Sequence, residues 1–115
     1  MLHKMVLTAL ILAFSANSYA SVGGSSGQGK ISYMYQRSFD GLLAVYKEDG
    51  VWDNPDGCDH SDRIVLTKAN NGSRSEFYSA LLAAQMANRN IKAYLFDCVE
   101  WNGVKYPKIE GLYTY

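Results

Sequence analysis

The chain of 115 residues carries 11 basic and 11 acidic side chains, 48% apolar residues, two cysteines, ten glycines and two prolines. That length holds one domain. The balanced charge argues against a protein that grips nucleic acid by bulk electrostatics, and the glycine and proline counts exclude a collagen-like or proline-rich chain.

Residues 1–20 read MLHKMVLTALILAFSANSYA. His3 and Lys4 form a short basic start, Met5 to Phe14 is an apolar run interrupted only by Thr8, and Ser18 and Ala20 occupy the −3 and −1 positions of a cleavage site. This is the anatomy of a secretory signal. A run of about ten apolar residues is too short to span about 30 Å of hydrocarbon, and no cysteine near Ala20 suggests a lipoprotein. Cleavage after Ala20 leaves 95 residues with ten basic and eleven acidic side chains and His60 as the remaining histidine. The expected product is secreted or periplasmic, with no membrane span. In such an oxidising compartment Cys58 and Cys98 are expected to pair. A loop of that length gives roughly 4 kcal/mol in the chain-entropy account.

Ser21 to Gly29 (SVGGSSGQG) reads as a flexible leader, and residues 30–115 as the domain. Ile31, Tyr33 and Tyr35 alternate with Ser32, Met34 and Gln36, the period of a strand. Gly41 to Tyr46 is a second β-prone run, closed by an Asp-Gly turn signal at Asp49-Gly50. Val51 to Asp62 is a polar, turn-rich loop, and Arg63 to Lys68 a third strand.

Ser73 to Asn90 predicts the helix: Ser73 and Glu76 match a capping box, and the body is rich in Ala, Leu and Met. Tyr78, Leu82 and Met86, with Phe77, Leu81 and Ala84 beside them, predict a broad apolar face. Asn88 or Asn90 supplies the stop. Ile91 to Trp101 reads as a long strand, turned at Asn102-Gly103 and followed by Val104 to Tyr106 and Ile109 to Tyr115, with Pro107 marking an edge or bulge.

Catalytic groups are few, and no enzyme activity is expected. His60, flanked by Asp59 and Asp62, is the one base for a Ser/His/Asp arrangement, without a nucleophile-elbow pattern. A ribonuclease-like pairing with Glu48 or Glu76 and an arginine is neither supported nor excluded by spacing. The loop acids Asp49, Asp53, Asp56, Asp59 and Asp62 invite a calcium reading. The EF-hand register with Gly57 at position six, however, puts Trp52 first and Arg63 twelfth. Turn chemistry explains them better, and neither metal nor cofactor is expected. Asn71-Gly72-Ser73 matches a glycosylation sequon. The aromatic excess remains: beyond residue 20 the chain has eight Tyr, two Trp and three Phe. Aromatic faces suit the C–H faces of pyranose rings, and Tyr and Trp add a polar handle. Trp52 and Trp101 are expected to be the exposed tryptophans, and with Asp53 and Asn54 they are the candidate binding residues. Most of the tyrosines are expected to pack in the sheet.

The order β-β-β-α-β-β is that of an OB-type barrel, and the expected fold is α+β, mainly β: a small antiparallel OB-like barrel with one helix and one disulfide. Cys58 before RIVLTKAN, the stretch FYSALLAAQMANRNIKAYLFDC ending at Cys98, and a closing strand after Tyr106-Pro107 resemble small secreted bacterial proteins related to the B subunits of AB-type toxins, especially the subtilase cytotoxin B subunit group. The resemblance covers Lys30 to Tyr115. It implies a pentameric ring that binds cell-surface glycans and carries an enzymatic A subunit, with the helix facing the central pore. No sugar-contacting residue is carried over. The competing expectation is a protein-binding accessory or inhibitor of the envelope, with an exposed apolar patch or a free strand edge.

Overall fold

The computed structural model describes residues 21–68 and 74–113. The signal expected at 1–20, Ser73 of the capping pair and the sequon at 71–73 lie outside the described residues. The elements follow in the order β1 (Gly24–Ser25), β2 (Gly29–Gln36), β3 (Leu43–Lys47), β4 (Arg63–Leu66), α1 (Arg74–Met86), β5 (Asn90–Ile91), β6 (Ala93–Trp101) and β7 (Val104–Leu112). Among the described residues the domain is mainly β with one helix, and Cys58 and Cys98 form the expected disulfide. No helix among the described residues is long and apolar enough to cross a membrane.

The strands form one sheet in the order β1-β6-β7-β4-β3-β2-β5. The pairings are antiparallel except that of β4 with β7, where Val65 stands opposite Lys108 in a parallel ladder. The order ends on β1 and β5, so the expected closed antiparallel barrel is corrected to an open sheet with one parallel pair. The ladder between β2 and β5 stops after Gly29–Ile91 and Lys30–Asn90. Beyond it α1 meets β2, with Gln85 Nε2 donating to the Ser32 carbonyl at 3.4 Å.

Alternation along β3 and β4 divides the apolar residues between two layers. Leu43, Val45, Ile64 and Leu66 join Ile31, Trp52, Leu81, Ile91, Ala93, Leu95 and Ile109 in the main core. Ala44 and Val65 point the other way, into a second cluster with Leu42, Trp101 and Tyr106. Two irregularities carry strands across this division. β2 shifts register between Ile31 and Tyr33, so Ile31 and Met34 pack on the main core while Tyr33 and Tyr35 lie exposed, Tyr33 stacked on Tyr46. The simple alternation expected of β2 puts Ile31 and the tyrosines on one face, and the extra residue overturns it. β6 bulges between Leu95 and Cys98, with Asp97 at φ 68°, so Leu95 enters the main core and Trp101 the second cluster.

α1 is shorter than expected and buries a narrower stripe. Leu81 is its fully buried residue, with Phe77 and Ala84 packed beside it, while Tyr78 and Met86 face outward. Asn88 ends the helix at φ 54°. The Arg89 amide donates to the Ala84 carbonyl at 2.9 Å and the Asn88 amide to that of Gln85 at 3.1 Å, the paired bonds of a Schellman end. Asn102 and Gly103, at φ 54° and 82°, make the expected tight hairpin. Pro107, expected to mark an edge or bulge, lies buried within β7 opposite Cys98, at the register shift between Leu95 and Cys98.

Residues 21–29, expected as a flexible leader, run along the sheet. β1 pairs with β6, and Ser26 is fully buried. The Ser26 amide donates to the Ala93 carbonyl and its Oγ accepts from the Ala93 amide, both at 2.8 Å. The backbone supplies the order that the side chains of this glycine-rich stretch do not foretell. Ser26→Ala leaves the buried Ala93 N–H without its partner and is expected to cost about 1–3 kcal/mol, read as a lower urea midpoint at unchanged slope. Replacing Cys58 and Cys98 together by alanine is expected to cost about 2–5 kcal/mol, and an unchanged midpoint would contradict a stabilising role for the bridge.

Candidate functional site

The second cluster forms a surface built from aromatic rings and two arginines. Tyr33 of β2 stacks on Tyr46 of β3, centroids 4.2 Å apart and planes inclined by 15°. The Arg63 guanidinium, from the start of β4, lies 4.8 Å from the Tyr46 centroid, 4.4 Å from that of Tyr106 and 5.6 Å from that of Trp101. The Arg37 guanidinium also meets Trp101, 4.1 Å from its ring centroid and 4.6 Å from that of Phe39. Tyr35 meets Trp101 at 6.0 Å, tilted. Cations held over aromatic faces satisfy both partners without removing the charge from its polar neighbours.

The arginines are fixed as well as stacked. Arg37, nine-tenths buried, pairs with Asp40 through Nε and Nη2 and donates from Nη1 to Asn102 Oδ1 at 3.0 Å. Partial desolvation works to raise the Asp40 pKa, but the bonds from Arg37 and the Leu42 amide hold it below its ordinary value. Arg63 pairs with Asp62 at 3.0 Å. Burial opposes its charge, yet Asp62, Tyr46 and Tyr106 raise its pKa, so it stays protonated. Burial pushes the Tyr46 hydroxyl up, against the pull of Arg63. The face thus offers ring surface, phenol hydroxyls and guanidinium donors. Tyr33 and Tyr35 are each 52% exposed and Phe39 80%.

The candidate residues read from the sequence scatter. Trp52 is not exposed: it is 1% accessible, packs in the main core and donates from Nε1 to the Val45 carbonyl at 2.9 Å. Trp101 is 5% accessible and reaches the surface only through the rings and cations around it. Asn54 accepts from the Cys58 amide and donates to its carbonyl, at 2.9 and 2.8 Å, so its amide closes the loop at the disulfide. Asp53 is exposed beside Gly27, where an added Cβ would come within 2.9 Å of its Oδ2. None of the three loop residues joins the aromatic face. Arg37, Arg63, Tyr33, Tyr35, Tyr46 and Phe39 do, and the signal for them was the clustering of tyrosines on β2 together with an arginine at each of two strand ends.

The acidic loop does structural work. Asp56 accepts from the Val22, Gly23 and Asp97 amides at 2.7, 3.0 and 2.7 Å, and Asp59 from the Lys105 amide at 2.9 Å. Among the described residues no cluster of His, Cys, Asp and Glu is placed to hold a metal ion. His60 is exposed, its amide bonded to the Lys105 carbonyl at 3.2 Å and its ring 6.3 Å from that of Tyr106.

No family model, curated protein or solved structure matches the chain.

The Gly23, Asp97 and Val22 amides lower the pKa of Asp56, and the Cys98 amide and Ser21 hydroxyl lower that of Asp97. Both carboxylates therefore stabilise the fold fully above the ordinary carboxylate value of about 4, and the contribution is lost as pH falls through their lower folded values. Asp56→Ala is expected to speed hydrogen exchange at Val22, Gly23 and Asp97 while leaving the Val45 and Ile64 amides protected. Wild-type protein should show the same selective release on acidification below about pH 4. Uniform exchange across the domain in either experiment would refute the assignment.

Proposed function

We propose that this is an exported binding protein without catalytic activity, and that it takes a glycan on the aromatic–arginine face. The observation that carries the reading is the continuity of Tyr33, Tyr35 and Phe39, all exposed, with Trp101 and the Arg37 and Arg63 guanidiniums against its ring. Rings of this kind stack on pyranose C–H faces, while guanidinium and phenol groups bond the hydroxyls. The disulfide suits an oxidising compartment.

We place the domain near the OB-type proteins and the toxin B subunit group. The helix falls between the third and fourth long strands, and the third and fifth pair in parallel. Assembly into a homo-oligomeric ring, a pentamer by that resemblance, is part of the proposal.

A second reading, binding of an envelope protein, draws on α1. It lies beside a cleft of about 330 Å³ lined by Ala80, Ala83, Ala84, Ala87 and Leu112, and Met86 is 79% exposed nearby. A photo-crosslinker at Ala83 that yields one reproducible partner in intact cells would favour this reading.

On a glycan array, the exported protein is expected to bind a restricted set of saccharides. Tyr35→Ala and Phe39→Ala are each expected to weaken that binding by about tenfold with the domain still cooperatively folded, since each side chain is at least half exposed. A blank array with folded protein, combined with a strict monomer in sedimentation, would sink the proposal.

A further inference from the structure

A second site adjoins the aromatic face. The turn from β2 to β3 is tightened by the Arg37 amide on the Leu42 carbonyl at 2.9 Å and the Gly41 amide on the Arg37 carbonyl at 3.0 Å. Gly41 adopts φ +70°, and an added Cβ would stand 3.0 Å from both Cβ and Cδ of Lys68. The Lys68 stem therefore lies directly on the glycine. The carbonyl of the same glycine accepts from Arg74 Nη1 at 2.6 Å. One glycine thus draws a cation from the end of β4 and a cation from the start of α1 to one place. They border a cleft of about 460 Å³ whose walls include Arg37, Ser38, Lys68, Arg74, Ser75 and Tyr78.

The electrostatics of this cleft are one-sided. Arg37 is matched by Asp40, but Lys68 and Arg74 have no carboxylate partner among the described residues. No acid lines the cleft among the described residues, and three hydroxyl-bearing residues do, Ser38, Ser75 and Tyr78. The positive end of the α1 dipole adds to the same sign. Two unmatched cations with hydroxyl donors suit a compact multivalent oxyanion, which accepts several charge-assisted bonds at once. Arg37 lines the cleft while its guanidinium lies over Trp101 and Phe39, so the two surfaces share a side chain.

We propose that the cleft binds the phosphate or sulfate monoester of a saccharide whose ring lies on the aromatic face. The saccharide half of this statement rests on the glycan reading above, and the oxyanion half stands on the cleft alone. The test therefore has two arms. In the first, inorganic phosphate and sulfate are titrated into the exported protein and followed by amide NMR, against sodium chloride at matched ionic strength. Saturable shifts at Ser38, Gly41, Ser75 and Tyr78 are expected with phosphate or sulfate, absent with chloride, weakened about tenfold in Lys68→Ala and kept in Lys68→Arg. Lys68 is exposed, so its replacement leaves the fold intact. Shifts equal to those of chloride, or undiminished in Lys68→Ala, would overturn the site.

In the second arm, sulfated and phosphorylated saccharides are compared with their neutral parents. Lys68→Ala is expected to lose the preference for the esters alone, and Tyr35→Ala to weaken esters and parents together. Saccharide binding indifferent to Lys68, or esters that bind no tighter than inorganic phosphate, would overturn the shared ligand and leave the glycan reading intact. Phosphate binding alongside a blank array would overturn the glycan reading and leave the oxyanion site standing.

Discussion

The packing of Arg63 and Arg37 onto aromatic rings answers a constraint set by the size of the domain. A sheet that alternates apolar residues to both faces needs cover on both, and among the described residues the single helix packs on the main core, where Leu81, Phe77 and Ala84 meet it. The other face keeps Ala44, Val65, Trp101 and Tyr106 out of water with side chains of its own strands. A guanidinium suits that task because it is weakly hydrated, lies flat on a ring and turns its edge donors to polar partners, here Asp40 and Asn102 for Arg37 and Asp62 for Arg63. Arg63 reaches Tyr46, Tyr106 and Trp101 from one position. The result is a surface layer, ordered by packing yet still presenting polar groups.

Ordering of the edge follows a different logic. The loop between β3 and β4 carries most of the acids, and two of them are committed to backbone amides of other elements: Asp56 to Val22, Gly23 and Asp97, Asp59 to Lys105. Asn54 clamps Cys58, and Cys58 is bonded to Cys98 on β6. The loop, the first strand and the bulge of β6 are therefore one assembly. This is why Trp52 sits in the core: the chain is pinned on either side of it, and its Nε1 finds the Val45 carbonyl inside. Asp56, Asp59 and Asn54 are thus engaged in holding the loop to its neighbours.

The long elements were legible because their signals are local. The helix body, the Asn102-Gly103 hairpin, the three strands before the helix and the cysteine pair all stand where composition, turn chemistry and spacing put them. Faces were not legible where a bulge intervenes. One extra residue near Ser32 reverses the side on which Tyr33 and Tyr35 lie, and one near Asp97 does the same for Trp101. The order of residues 21–29 was hidden for a related reason: backbone pairing and the buried Ser26 hydroxyl hold it, and neither has a hydrophobic pattern. The open sheet with its parallel pair depends on contacts distant in sequence, which periodicity does not encode.

The same bulges give the tyrosine excess its physical meaning. Were β2 regular, Tyr33 and Tyr35 would share the face of Ile31 and compete for a core already filled by Trp52, Leu43, Val45, Ile64 and Leu66. The shift sends them outward instead, where Tyr33 stacks on Tyr46 and Tyr35 leans on Trp101. Tyrosine tolerates that position because its hydroxyl remains in water while its ring covers apolar neighbours. Leucine in the same places would leave a plain apolar patch, prone to self-association. The choice of tyrosine with arginine keeps the face soluble and directional, and it does so beside the cleft where Gly41 gathers Lys68 and Arg74. The ring surface and the basic cleft thus meet at Arg37, which belongs to both.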